Sequence, residues 1–165
     1  MQPAFAEALL RLAKGAGIAT ALETAGHTQW PVFARLLPFL DLLLYDLKHV
    51  NGDLHRQYTG LGNELILANL RQLAAHQAPL IVRIPLIPGF NADADSLRAM
   101  AEFIGELGAA VQRVDLLPYH TLGQAKYRAL GRLYPWADHR RLTEAEVQAC
   151  RARVAAWGLP VTIGG

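Results

Sequence analysis

The sequence predicts an α/β fold in which parallel strands alternate with helices. Three observations carry that reading. Helical periodicity and short strand-like apolar runs follow one another by turns along the whole chain. Most of the strand runs are apolar at successive positions, as in strands covered on both faces. No two runs are joined by the short glycine- or asparagine-rich link of a hairpin. Such alternation means βα units, in an open doubly wound sheet or a barrel segment, and periodicity does not separate these.

Taken in order, "AFAEALLRLAKGAG" places Phe5, Leu9, Leu12 and Ala13 on one helical face and ends at glycine. "IATALET", residues 18–24, reads as a short buried strand. "TQWPVFARLLPFL" is a helix with Pro31 in its first turn. "LDLLLYDLK" is an apolar run of the two-sided strand type. "NELILANLRQLAAH" sets Ile66, Leu70, Leu73 and Ala74 at helical spacing, and "PLIVRIPLIPG" is the next strand, closed by Pro-Gly. In "DADSLRAMAEFIGELG", Leu97, Met100, Ala101, Ile104 and Leu107 share a face. "VQRVDLLPY" is a fourth strand. "LTEAEVQACRARVAAWG" opens with Thr143 and Glu146 at capping-box spacing and ends at Gly158; "LPVTIGG" is the last strand-like piece. The chain opens on a helix with no strand before it, so Met1 is not expected to be where a fold of βα units begins.

Composition narrows the function. The 165 residues are 52% hydrophobic and 18% charged, a globular balance that fits one domain, residues 1–165. The net charge of +2 comes from interspersed residues without a basic block, so neither nucleic acid nor an anionic membrane is expected as a partner. No apolar run approaches the roughly 18 residues of a membrane span, and the first residues do not form a signal peptide. Cys150 is the single cysteine. That excludes a disulfide framework, points to a cytoplasmic address and rules out a metal site built from several cysteines of this chain.

In βα architectures chemistry gathers at the C-terminal ends of strands. Those ends read Glu23-Thr24, Asp46-Leu47-Lys48, Arg83 with Pro88–Asn91 beyond it, and Tyr119-His120. An acid, an acid with a base, an arginine and a histidine on one rim suit a polar, zwitterionic small molecule. A carboxylate would want Lys48 or Arg83; an ammonium or sulfonium would want Glu23 or Asp46. Each also has a structural reading. Glu23 and Thr24 can cap the next helix, Asp46 and Lys48 can form a solvated strand end, and His120 can be a hydrogen-bonded structural residue. Arg83, between Val82 and Ile84, needs a partner if buried. Cys150 falls with Val147, Val154 and Trp157 at helical spacing and reads as a core thiol. His27, His49, His55, His76 and His139 show no metal-ligand spacing. Asn69 fits either an interior contact or the surface.

With these positions in view, "YDLKHVN" (45–51), "TGLGNELILANL" (59–70), "VRIPLIPGFN" (82–91) and above all "VDLLPYHTLGQAKYRALGRLYP" (114–135) resemble the glycyl-radical-enzyme activating enzymes. These are radical S-adenosylmethionine (SAM) proteins of the pyruvate formate-lyase activating enzyme type. The resemblance runs over nearly the whole chain. It implies the C-terminal part of an incomplete (βα)6 radical SAM barrel. It implies SAM contacts from Asp46, Leu47 and Lys48, from His120 near the adenosyl part, from Glu23 and Thr24 near the methionine end, and from Arg83. In some members an aspartate at position 23 helps hold a monovalent cation; Glu23 departs from that. Residues 123–134 are expected as a loop that closes the site.

The family reaction is reductive cleavage of SAM, after which a 5′-deoxyadenosyl radical takes hydrogen from a backbone glycine of a partner enzyme. The resemblance therefore implies a 4Fe–4S cluster, a glycyl radical enzyme such as pyruvate formate-lyase or a related lyase or dehydratase, and flavodoxin or ferredoxin as electron donor. The family's CxxxCxxC and GGEP segments are not in this sequence. The resemblance thus implies an N-terminally truncated chain, lacking the first two strands and the cluster loop, unable to catalyse alone and prone to aggregate at its open sheet edge. Two other readings stand beside it: a non-catalytic remnant or partner-binding module, and a small βα-barrel isomerase or aldolase-like protein using Lys48.

Overall fold

The computed structural model describes residues 2–121, 123–134 and 140–164. Met1, Pro135 of the long motif and His139 lie outside the described residues. Helix α1 spans Pro3–Gly15, followed by β1 (Ala21–Thr24), α2 (Trp30–Leu36), β2 (Leu42–Asp46), α3 (Gly52–Thr59), α4 (Glu64–Ala75), β3 (Leu80–Leu86), α5 (Ala94–Glu106), β4 (Val111–Pro118), α6 (Gly123–Ala129), α7 (Glu144–Ala155) and β5 (Val161–Ile163).

The strands form one five-stranded sheet in the order β1-β2-β3-β4-β5, every neighbouring pair parallel. A doubly wound sheet reverses its strand order at a switch point. This sheet runs in one direction, so each crossover lays its helix on the same face, as in a barrel segment. That resolves the choice left open by periodicity.

The helix-covered face holds the core. Leu43, Tyr45 and Leu47 of β2, Val82, Ile84 and Leu86 of β3, and Val114 and Leu116 of β4 pack with Leu70 and Leu73 of α4, Leu97, Met100 and Ile104 of α5 and Val154 of α7. α7 begins with the expected capping box: Thr143 accepts from the Glu146 N–H and the Glu146 carboxylate accepts from the Thr143 N–H. Asp93 caps α5 through the Ser96 N–H at 2.9 Å.

Several expectations are corrected. β2 is not covered on both faces: Leu43, Tyr45 and Leu47 are buried, while Leu42, Leu44 and Asp46 alternate with them half-exposed. The face of α1 that carries Phe5, Leu9 and Leu12 is exposed, and Leu10 is the residue packed against the core. The second helix stops at Leu36 and tightens into a 3₁₀ turn over Leu37–Phe39, where Pro38 removes a helical donor. Trp157 lies beyond α7 and is exposed, although Cys150 and Val154 are buried. Residues Gly123–Ala129 form a short helix rather than loop, with only the stretch after it irregular.

Candidate functional site

The sheet face away from the helices carries a polar row. Asp46 of β2, Arg83 of β3, Asp115 of β4 and Thr162 of β5 are register partners in succession, so their side chains stand side by side. Arg83 joins three strands. Its Nε and Nη2 donate to Asp46 Oδ1 at 3.0 and 2.9 Å, and Nη2 also pairs with Glu23 of β1. The Arg83 guanidinium holds the Glu23 carboxyl below its usual range. Lys48 Nζ lies 3.5 Å from Asp46 Oδ2 and completes a cluster of two acids and two bases. The Arg83 side chain is only 14% exposed, so these partners answer the requirement that a sunken arginine be paired.

Further along the row, Asp115 is 1% exposed and accepts from Arg113 Nε at 2.7 Å and Thr162 Oγ1 at 2.6 Å. Burial works to raise its carboxyl, but the Arg113 and Thr162 bonds outweigh it and leave the group below the ordinary aspartate value. Arg113, Asp115 and Thr162 are not among the strand-end positions expected from the sequence. The alternation of Arg113 and Asp115 within "VQRVDLLPY" was the available signal: residues two apart on a strand share a face.

A neighbouring recess of about 320 Å³ lies at the ends of β3 and β4, lined by Pro85, Ile87, Leu117, Pro118, Tyr119, His120, Gly123 and Tyr134. Tyr119 Oη donates to Tyr134 Oη at 3.3 Å, and Tyr127 meets Tyr134 edge-on at 5.1 Å. Burial, with Tyr119 alongside, pushes the Tyr134 phenol up to about 12.

Of the residues expected at the rim, Glu23, Asp46, Lys48 and Arg83 come together. His120 opens on the adjacent recess. Thr24 turns its hydroxyl to the Gly26 N–H at 3.0 Å, and neither it nor Glu23 caps α2, whose N-cap is Gln29. Leu47 points into the core, and its N–H donates to the Arg83 carbonyl at 2.9 Å. Asn69 is an interior contact: fully buried on α4, its Nδ2 donates to the Gly26 and Thr28 carbonyls at 2.8 and 2.7 Å and ties down the loop after β1.

A second polar group centres on His49, Asn63 and Ser96, all three buried. The His49 ring receives the Asn51 N–H on Nδ1 at 2.9 Å, and its Nε2 lies 3.1 Å from Ser96 Oγ, which donates to Asp93 Oδ2 at 2.6 Å. Asn63 Nδ2 donates to the His49 carbonyl at 2.8 Å. Among the described residues no group of three His, Cys, Asp or Glu side chains could hold a metal ion. Cys150 is buried on α7 with its Sγ 3.7 Å from the Ala92 carbonyl.

No protein-family model matches the chain. The choline trimethylamine-lyase activating enzyme of Oleidesulfovibrio alaskensis is 36% identical over 165 residues, covering 99% of this chain and 53% of that protein. The isethionate sulfite-lyase activating enzyme of Nitratidesulfovibrio vulgaris is 44% identical over 139 residues, 83% of this chain and 44% of that protein. The chain thus spans about half the length of the curated relatives it matches. The crystal structure of a domain of pyruvate-formate lyase-activating enzyme from Bacteroides vulgatus superposes with a TM-score of 0.84 at 30% identity, covering 99% of this chain and 92% of that one. A parallel sheet wound in one direction, a charged row at its strand ends and relatives of this kind lead to one assignment: the chain belongs to the glycyl-radical-enzyme activating enzymes, a radical SAM family.

Proposed function

We propose that this chain is the SAM-binding and partner-facing C-terminal portion of an enzyme that installs a glycyl radical on a partner glycyl radical enzyme. The observation that carries the reading is the Glu23–Arg83–Asp46–Lys48 cluster beside an apolar recess.

The donor set fits SAM. Its amino-acid end is a zwitterion, its sulfonium is a cation and its nucleoside is flat and largely apolar. Lys48 and Arg83 offer charge to the carboxylate, Glu23 and Asp46 offer charge to the ammonium and sulfonium, and His120 with Tyr119 lines a recess of a size for the nucleoside. Bound there, SAM would supply the 5′-deoxyadenosyl group that takes hydrogen from the partner's glycine. The chain's own residues bind the cofactor, orient it and exclude water.

The residues do not fit a 4Fe–4S cluster. Three thiolates are needed and Cys150, buried on α7, is the single cysteine. The cluster is therefore assigned to polypeptide beyond these residues, and the chain is read as one partial radical SAM barrel domain over residues 1–165. Flavodoxin or ferredoxin would serve the whole enzyme as electron donor, and the cytoplasm is the matching compartment.

Calorimetric titration of the folded chain with SAM tests the reading. Saturable binding that weakens at least tenfold on Lys48→Ala supports it. A folded chain that shows no heat of binding at millimolar SAM overturns it. Reconstitution with iron and sulfide should leave the isolated chain without a stable cluster, and translating the DNA upstream of the Met1 codon should reveal CxxxCxxC and GGEP in frame.

A further inference from the structure

The pairing of β2 with β3 stops at Asp46↔Arg83, whereas that of β3 with β4 continues to Leu86↔Pro118. The break has a covalent cause. Along β2, Leu43 donates to the Pro79 carbonyl and Leu47 to the Arg83 carbonyl, each at 2.9 Å. The parallel pattern next requires residue 85 to donate back to Leu47, and Pro85 has no N–H. From that point the strands are joined by a side chain. Asn91, fully buried, donates from Nδ2 to the Lys48 carbonyl at 2.8 Å and the Pro85 carbonyl at 2.7 Å, and accepts the Ile87 N–H on Oδ1 at 2.8 Å. One amide thus spans the ends of β2 and β3 where their ladder ends, in place of a backbone rung.

We propose that Pro85 and Asn91 are positioning residues that hold the ends of β2 and β3 apart by a fixed width and thereby aim Lys48 into the site. The inference rests on the SAM reading for its consequence and on the hydrogen bonds alone for its geometry. Lys48 is the rim side chain whose own carbonyl Asn91 grips. With that carbonyl held, and the next one held by Asn63, the segment cannot swing, and the ammonium stays near Asp46. Around metal sites, outer residues that fix the orientation of a ligand matter by about 10–100-fold when removed, and an effect of that order is expected here.

The test uses the 165-residue chain, with two variants and two readouts. Asn91→Ala removes the amide. Pro85→Ala restores an N–H able to donate to Leu47, which lets the ladder continue and draws the strand ends together. The first readout, made without ligand, is the rate of Lys48 acetylation by acetic anhydride, measured by mass spectrometry against Lys126 as internal reference. Both variants should change the Lys48/Lys126 ratio by about threefold or more. Pro85→Ala should do so with no loss of melting temperature, which separates aim from stability and covers the case in which Asn91→Ala fails to fold. A ratio within about 1.5-fold of the parent in folded Pro85→Ala overturns the proposal.

The second readout is SAM affinity by calorimetry. Pro85→Ala should weaken binding about tenfold in the parent chain and less than about twofold in a Lys48→Ala background, because its effect passes through Lys48. An equal loss in both backgrounds means that Pro85 acts through its own place in the recess wall or through a general structural effect, and also overturns the proposal. Should the parent chain bind no SAM, the SAM reading fails, and the acetylation ratio by itself decides whether Pro85 and Asn91 aim Lys48.

Discussion

Arg83 gives two of its donors to one oxygen of Asp46, Oδ1, at 3.0 and 2.9 Å, although the residues stand 37 positions apart in the chain. They are register partners on adjacent strands, so the backbone ladder brings their side chains together. The same guanidinium reaches Glu23 on the next strand over. Replacing it leaves a carboxylate on β2, 20% exposed, with Lys48 as its remaining partner at 3.5 Å.

Arg83→Met should therefore destabilise the fold by about 2 kcal/mol, less than a deeply buried pair would lose because the rim is wet. Glu23 is 62% exposed, and Glu23→Gln should cost no more than about 0.5 kcal/mol. Urea midpoints for the two variants check the ordering; a larger loss from the glutamate would mean that Arg83 leans on Glu23 rather than Asp46.

Much of this fold is legible in the sequence because its signals are local. The helical spacing of Ile66, Leu70 and Leu73 and the Thr143–Glu146 capping box are set by residues within two turns of one another. Helix α3 was not legible: it is eight residues long, polar, and buries His55 alone. Strand-end reading found the charged cluster because topology puts every strand's C-terminus on one rim. It could not find who pairs with whom, since Arg83 meets Glu23 across 60 positions. The buried roles of His49, Asn63 and Asn91 are illegible for another reason. Polar residues in connecting loops resemble solvated ones, and only the packed chain shows all three to be buried and hydrogen-bonded.

Gly26 should tolerate no side chain. It sits at φ +74, where L residues are strained, and a Cβ there would collide with the Tyr45 ring and hydroxyl. Tyr45 cannot yield easily, because it is fully buried and its hydroxyl donates to the Ile66 carbonyl at 2.8 Å. Gly26→Ala should cost about 3 kcal/mol, one part backbone strain and the larger part overpacking. Thermal unfolding measures it, and a loss below about 1 kcal/mol would show that the β1–α2 loop moves aside.

Cys150 should be inert in the native state. Its side chain is buried, and burial pushes the thiol above its ordinary value, so little reactive thiolate is present near neutral pH. A colorimetric disulfide reagent should titrate no thiol in native buffer and one in 8 M urea. Rapid labelling without denaturant would place α7 among the locally open parts of the chain.

His49 is buried, and burial lowers its tendency to take a proton; Asp93 opposes that effect and His55 adds to it. The neutral ring is also what the hydrogen bonds require, since Nδ1 accepts the Asn51 N–H and leaves Nε2 to face Ser96. In the unfolded chain the ring takes a proton near its ordinary value of about 6.5. Below that value the unfolded state binds the proton and the folded state resists it, so acid favours unfolding. The contribution of His49 is complete above about pH 6.5, shrinks as the pH falls through that value, and is gone once the pH lies below the lowered folded-state value. The depressed carboxyl groups of Asp93 and Asp115 work in the same direction but at more acid pH, below the ordinary aspartate value near 3.9. Urea midpoints taken from pH 8 to pH 5 should fall with acid in the parent chain. His49→Asn lowers stability at pH 8, where its ring contacts are lost, and should flatten the slope between pH 6.5 and 5. An unchanged slope would assign the acid sensitivity to another histidine.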